Sequence, residues 1–315
     1  MCNFNKSLVF FFLTICAIAH AVLGASINII GGEEAGEDEF PFLVTIQYKG
    51  ANGENNTHNC GGTLISMTRV ITAAHCVAGT PKESLTVVGG THLLSSAVRG
   101  LLQNRDVSNI VIHPNYEGGS INKNDIAIVD LSTPFENPRI GSIPMPSRWQ
   151  TSSGQCLIAG WGFTEQVVYS DKLIKGRVTV HSKEQCSTSY PVLFDPDRQI
   201  CAGNLNGETA DMCPGDTGGG IYCYNSEGMY FAGVASWGFG CGTAGRPGVF
   251  MEVAQYLNWI NSVNGGPNYS TTTVSSSPTT TTTSPLEGEN DGANDNGDVS
   301  SAENHKPIVP CKVRK

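Results

Sequence analysis

The sequence predicts an all-β domain that ends in one helix and is followed by a long low-complexity tail. Up to about Gly265, short runs rich in Val, Ile and Leu ("FLVTIQY", "TVVGG", "NIVIHP", "IAIVDL") alternate with clusters of Gly, Pro and Asn at spacings suited to antiparallel strands. Such a pattern reads as a β-sandwich or a pair of barrels. The segment "VAQYLNWINSV", Val253 to Val263, sets its apolar residues at helical spacing and is the helix candidate. Past Gly265 the composition changes abruptly, to "STTTVSSSPTTTTTSP" and then to the acidic "EGENDGANDNGD".

The two ends read as signals rather than as core. After Lys6 comes the apolar run "LVFFFLTICAIA", Leu8 to Ala19, too short to span a bilayer and followed by small residues suited to cleavage near Ala21 or Gly24. Residues 1–24 are therefore expected to be a signal peptide. No second apolar run of spanning length follows, so the mature chain is expected to be secreted, extracellular and free of the membrane. Residues 265–315 hold too little apolar surface to fold and are expected to form a disordered tail that could carry O-glycans. Asn55 in "NNT" and Asn268 in "NYS" match the N-glycan acceptor pattern.

Charge and cysteine usage narrow the classes. The 315 residues carry a formal net charge of -9, which supplies no global basic surface for nucleic acid or an anionic membrane. Of the eleven cysteines, Cys2 and Cys16 fall in the leader, eight fall between Cys60 and Cys241, and Cys311 stands alone near the end. Eight in an exported domain suggest four disulfides, though spacing alone allows 105 connectivities. The eight are too dispersed for paired CxxC zinc hooks.

Three stretches carry chemistry. "ITAAHC" places His75 beside Cys76 at the end of an apolar run. "NDIAIVDL" sets Asp125 at the head of an apolar strand, where a buried carboxylate needs partners. "DMCPGDTGGG", Asp211 to Gly220, is a glycine-rich turn whose backbone N–H groups can converge on an anion. Alone, each has a bland reading: a structural histidine, a turn aspartate, a solvated loop. Their conjunction in a cysteine-rich β chain does not.

Together with "IIGG" at Ile29, "CGGTLIS" at Cys60, "CLIAGWG" at Cys156, "ICAG" at Cys201, "SWGFGCG" at Ser236 and "RPGVF" at Arg246, these residues resemble the chymotrypsin-like (trypsin-like, S1) serine proteases. The resemblance runs in the family's order from Ile29 to about Val263, and sets domain limits of 29–264 with a short pro-segment at 25–28. It implies two six-stranded antiparallel barrels with the site in the cleft between them. It makes His75 the general base, Asp125 the carboxylate that orients it, and the N–H groups of Gly215 and Thr217 the oxyanion hole. It pairs Cys60 with Cys76, Cys156 with Cys223, Cys186 with Cys201, and Cys213 with Cys241. Asp211 becomes the base of a specificity pocket, with Ser236, Trp237, Gly238 and Gly248 as its walls, suited to Arg or Lys. Ile29, freed by cleavage, would pair its ammonium with Asp216. The stretch "VVGGTHLLSSAVRG" lacks the acidic loop of calcium-binding relatives, so no metal and no other cofactor is expected.

Three positions depart from that pattern. Thr217 stands where the nucleophilic serine is expected, Gly220 where a proline follows, and Asn28 where Arg or Lys precedes the cleaved bond. The β-branch of threonine stiffens its first torsion and adds a methyl at a site packed for a hydrogen. Asn28 offers nothing to an activator that cuts after basic residues. The expected function is thus a secreted protease homologue with little or no peptidase activity, acting by binding an extracellular protein or peptide, such as another protease or an inhibitor. Cys311 would offer it a disulfide partner site. The competing readings are an active endopeptidase cleaving after Arg or Lys with Thr217 as nucleophile, and a surface component whose mucin-like tail is the operative part.

Overall fold

The computed structural model describes residues 29–263, apart from 30, 52–55, 97–102, 120, 149, 164–167, 206 and 208–209. The expected signal peptide, the pro-segment with Asn28, the tail, Asn55, Asn268 and Cys311 lie outside the described residues.

Two closed antiparallel barrels stand side by side. The first is built from β2 (Leu43–Tyr48), β3 (Thr57–Ser66), β4 (Arg69–Thr72), β5 (Leu85–Gly89), β6 (Gln103–Ile112) and β7 (Ala127–Leu131), closed in the order β2-β3-β4-β7-β6-β5. The second uses β8 (Gly154–Gly160), β9 (Ile174–Val180), β10 (Gln199–Ala202), β11 (Gly220–Asn225), β12 (Gly228–Trp237) and β13 (Gly248–Glu252). They run in the order β9-β10-β13-β12-β11-β8, and the β8–β9 pairing closes the ring. The short β1 (Glu33–Glu34) adds to β9. The barrel-pair alternative of the sequence reading is therefore the observed one, and each apolar run singled out lies in a strand: β2, β5, β6 and β7.

The strands follow their side-chain pattern. "IKGRVTV" in β9 alternates inward and outward, with Ile174, Gly176, Val178 and Val180 buried and Lys175, Arg177 and Thr179 less so, as a period of two requires. Between the barrels Phe42 of the first meets Tyr222 of the second at 4.7 Å between ring centroids, and Phe231 flanks Tyr222 at 6.0 Å. The buried Tyr222 hydroxyl finds Thr63 Oγ1 at 3.0 Å, so this contact also ties β11 to β3.

Three helices complete the fold among the described residues: α1 (Ala74–Val77), α2 (Lys183–Ser189) and α3 (Val253–Ser262). The predicted C-terminal helix is α3, which buries Val253, Ala254, Tyr256, Leu257 and Ile260 on one stripe. It leans back on the first barrel, with the rings of Tyr256 and Trp259 edge-on to His113 at 5.3 and 4.9 Å. Helix α2 starts on a capping box, Ser182 accepting from the Gln185 N–H while the Gln185 side chain accepts from Ser182 N–H. The four cysteine pairs are Cys60–Cys76, Cys156–Cys223, Cys186–Cys201 and Cys213–Cys241, those that the family resemblance implied.

Candidate active site

The barrels meet where their chemistry-bearing loops converge. His75 lies on α1, directly after β4, and Asp125 lies just ahead of β7, so both come from the first barrel. Pairing of β4 with β7 in the register Thr72↔Ala127 brings these two strand ends together. Asp125 is fully buried. Its Oδ1 accepts from the His75 backbone N–H at 2.8 Å, and its Oδ2 accepts from His75 Nδ1 at 2.7 Å. Ser236, at the end of β12, donates its hydroxyl to the same Oδ2 at 2.5 Å and so links the second barrel to the carboxylate. A buried carboxylate is tolerated because three donors satisfy it.

The proton on His75 follows from these contacts. Nδ1–H donates to Asp125, which leaves the Nε2 lone pair directed away from the carboxylate. Burial alone would depress the imidazolium, but the charge of Asp125 and its hydrogen bond outweigh it and hold His75 above its ordinary value.

The loop with Thr217 is seated on Gly61 by close backbone contact. Gly61 N–H donates to Thr217 O at 2.9 Å, and Thr72 Oγ1 donates to Gly61 O at 2.8 Å. Gly218, at φ 81°, has no room for a side chain: a Cβ would sit 2.3 Å from Thr72 Oγ1 and 2.6 Å from Gly61 O. Gly215, at φ 97°, turns the chain in the left-handed region that glycine enters without cost. Among the hydrogen bonds of the described residues, the N–H groups of Gly215 and Thr217 have no protein acceptor, whereas Gly218 N–H is taken by Ala235 O. Two neighbouring free donors on one turn can receive an oxyanion.

Among the described residues no hydrogen bond joins the Thr217 hydroxyl to His75. Thr217 Oγ1 lies 3.6 Å from Sγ of Cys60, and Nε2 of His75 lies 3.7 Å from Sγ of Cys76. Both groups thus pack against the Cys60–Cys76 bridge. Cys60, Cys76 and His75 hold their heteroatoms within 4.8 Å of one another, but sulfurs joined in a disulfide offer no thiolate to a metal.

A feature missed in the sequence holds the turn at Gly215. The buried His58 donates from Nε2 to Gly215 O at 2.9 Å, which makes Nδ1 the acceptor for Thr45 Oγ1 at 2.7 Å. Burial keeps His58 neutral, with its pKa pushed down to about 4. The only signal was His58 standing two residues before Cys60, on the same face of β3; Thr45 gave none.

Asp216 and Asp211 are both buried, with no cationic partner among the described residues. Asp216 accepts from Gly162 N–H at 2.8 Å and Cys213 N–H at 2.9 Å, and burial still raises its pKa to about 6. Glycines 160 and 162 leave the space it fills, since a Cβ on either would come within 2.3 Å of a carboxylate oxygen. Ile29 is buried in the second barrel, its Cγ2 packed over Gly176. In the intact chain it carries an amide and not an ammonium. Asp211 accepts from Met212 N–H and Gly242 N–H, both at 2.9 Å, and burial lifts it to about 7. Gly238 and Gly248 face one another nearby, with Trp237 buried beside them.

Two closed barrels with a buried carboxylate–imidazole pair and a free pair of backbone donors at their junction make up the scaffold of a serine peptidase. The family model for trypsin matches residues 29–260, and the chain belongs to the trypsin family. It is 33% identical to trypsin of Sus scrofa over 236 residues, which cover 74% of this chain and 94% of that protein. It is 35% identical to trypsin I-P1 of Gallus gallus over 238 residues, 75% of this chain and 88% of that one. Transmembrane protease serine 11C of Mus musculus is 34% identical over 262 residues, 80% of this chain but 57% of that protein.

Proposed function

We propose that this chain is a secreted trypsin homologue of strongly impaired peptidase activity that acts by binding an extracellular protein or peptide in or near its cleft. The carrying observation is the pairing of the Thr217 hydroxyl with Cys60 Sγ while His75 Nε2 faces Cys76 Sγ. A nucleophile and its base must share a hydrogen bond in a near-attack geometry. A misplacement of ~1 Å costs ~10²-fold, and loss of the nucleophile costs about 10⁶ in a related constellation. The β-branch opposes simple rotation, because aiming Oγ1 at His75 swings the methyl into the space beside the disulfide. Four disulfides support an oxidising, extracellular setting.

The test is digestion of a mixed peptide library by the purified mature protein, both intact and after cleavage before Ile29, with products read by mass spectrometry. No cleavage above background is expected. Efficient cleavage that disappears with His75→Ala would overturn the proposal in favour of a threonine peptidase.

A further inference from the structure

We infer that Met212 closes the pocket over Asp211, so that the cleft of this protein refuses arginine and lysine side chains despite the acid at the pocket's base. This deepens the reading of the cleft as a binding site by naming a class of ligand that it excludes.

The argument rests on what surrounds the two wall glycines. A Cβ built on Gly248 would meet Met212 Cγ at 3.0 Å, Asp211 Oδ1 at 3.1 Å and Met212 Cε at 3.3 Å. The carboxylate and the thioether therefore occupy the same space in front of Gly248. A Cβ on Gly238 would meet Met212 Cε at 3.7 Å and Gly248 Cα at 3.8 Å. The Met212 methyl lies between the two glycines, in the gap that they would otherwise leave empty. Asp211 and Met212 are 2% and 6% exposed, so both side chains are shielded from bulk solvent at this gap. Met212 also belongs to an apolar cluster with Ala210, Ala235 and Phe250, which holds its stem in place.

The chemistry fits a closed pocket. Asp211 is satisfied by backbone N–H groups and meets no cation among the described residues, and burial carries its pKa to about 7. A guanidinium or ammonium would need the volume now filled by the methionine to reach it. Methionine is unbranched and adaptable, but here it is packed against backbone on both sides.

Benzamidine, a compact planar cation whose two N–H groups match a carboxylate, is the probe. Binding is followed by titration calorimetry near pH 7 on the intact wild-type chain, Met212→Leu, Met212→Ala and the double variant Met212→Ala/Asp211→Asn. Wild type and Met212→Leu are expected not to bind at millimolar probe. Met212→Ala is expected to bind at least ~10²-fold more tightly than wild type, on the scale of pairing a buried charge, with release of a proton from Asp211. Asp211→Asn in that background removes the gain. Binding by wild type as tight as by Met212→Ala would overturn the inference. So would a Met212→Ala protein that melts like wild type yet binds nothing. Because the readout is binding and not hydrolysis, it stands or falls separately from the loss of peptidase activity.

Discussion

The ring of Tyr222 fills the space that a side chain on Gly220 would need: a Cβ there would lie 2.5 Å from the ring's Cε1 and Cζ. The family's usual proline is therefore not simply missing from this loop. Its volume has been handed to a buried tyrosine that bridges the barrels through Thr63. Gly220→Pro is expected to destabilise the protein by roughly 1–3 kcal/mol, the range for overpacking a core. Tyr222→Val, which deletes the ring, should relieve most of that. Urea unfolding of the two single variants and the double variant measures the coupling; simple additivity would show that the residues do not compete.

The substitution at 217 and the uncut amino terminus are separable lesions. Labelling by an organophosphorus fluoridate, which needs an activated hydroxyl but no specificity pocket, reads both. Wild type should not react, and Thr217→Ser alone should react slowly, because Asp216 still lacks an ammonium partner. Adding Asn28→Arg and cutting with trypsin should raise the rate by at least ~10²-fold, on the scale of one oxyanion donor. Equal rates before and after cutting would mean that the oxyanion turn, anchored by His58 at 2.9 Å from Gly215 O, is already formed in the intact chain.

Asp211 makes stability depend on pH. Its pKa is 3.8 when unfolded and about 7 when folded, so the folded state holds the extra proton between these values. The stability this brings is complete below about pH 4 and is lost as pH rises through 7. Asp211→Asn is expected to match wild type near pH 4 and to exceed it at pH 8 by roughly 2–4 kcal/mol. Asp216 acts in the same direction with a folded pKa of about 6. His58 acts oppositely, losing stability as pH falls from 6.5 towards 4. Comparing Asp211→Asn with wild type cancels the His58 contribution, and Asp211→Asn/Asp216→Asn against Asp216→Asn isolates Asp211 from the carboxylate that raises it; thermal melts at pH 4, 6 and 8 decide the matter, and a constant offset would rule out this role for Asp211.

Four pairings consume the eight cysteines of the domain and leave Cys311 together with Cys2 and Cys16 of the expected leader. On non-reducing gels of secreted protein we expect a slower species that vanishes with Cys311→Ser. Identical migration of wild type and variant would remove a covalent partner from the proposed function.

Much of the frame was legible because it is local. Strands β2, β5, β6 and β7 announced themselves as apolar runs between turn residues, and α3 as an apolar stripe at helical spacing. His75, Asp125 and the glycine-rich turn stood in short motifs whose chemistry can be named from the residue types. Helix α2 was not anticipated. Its seven residues carry no sustained stripe, and its one signal was the capping box at "SKEQ". His58 was missed because its partners, Thr45 and Gly215, are 13 and 157 residues away along the chain.

By itself the sequence determined the β architecture, the candidate acid–base pair, the loss of serine at 217 and the acidic residue at 211. Only the tertiary structure decided where the Thr217 hydroxyl points, what replaces the proline ring at Gly220, and that Met212 lies between Gly238 and Gly248. The first set depends on residue type and near-neighbour spacing, which a chain displays in one dimension. The second depends on which atoms of distant segments compete for one volume in a close-packed interior, and that competition exists only once the two barrels have met.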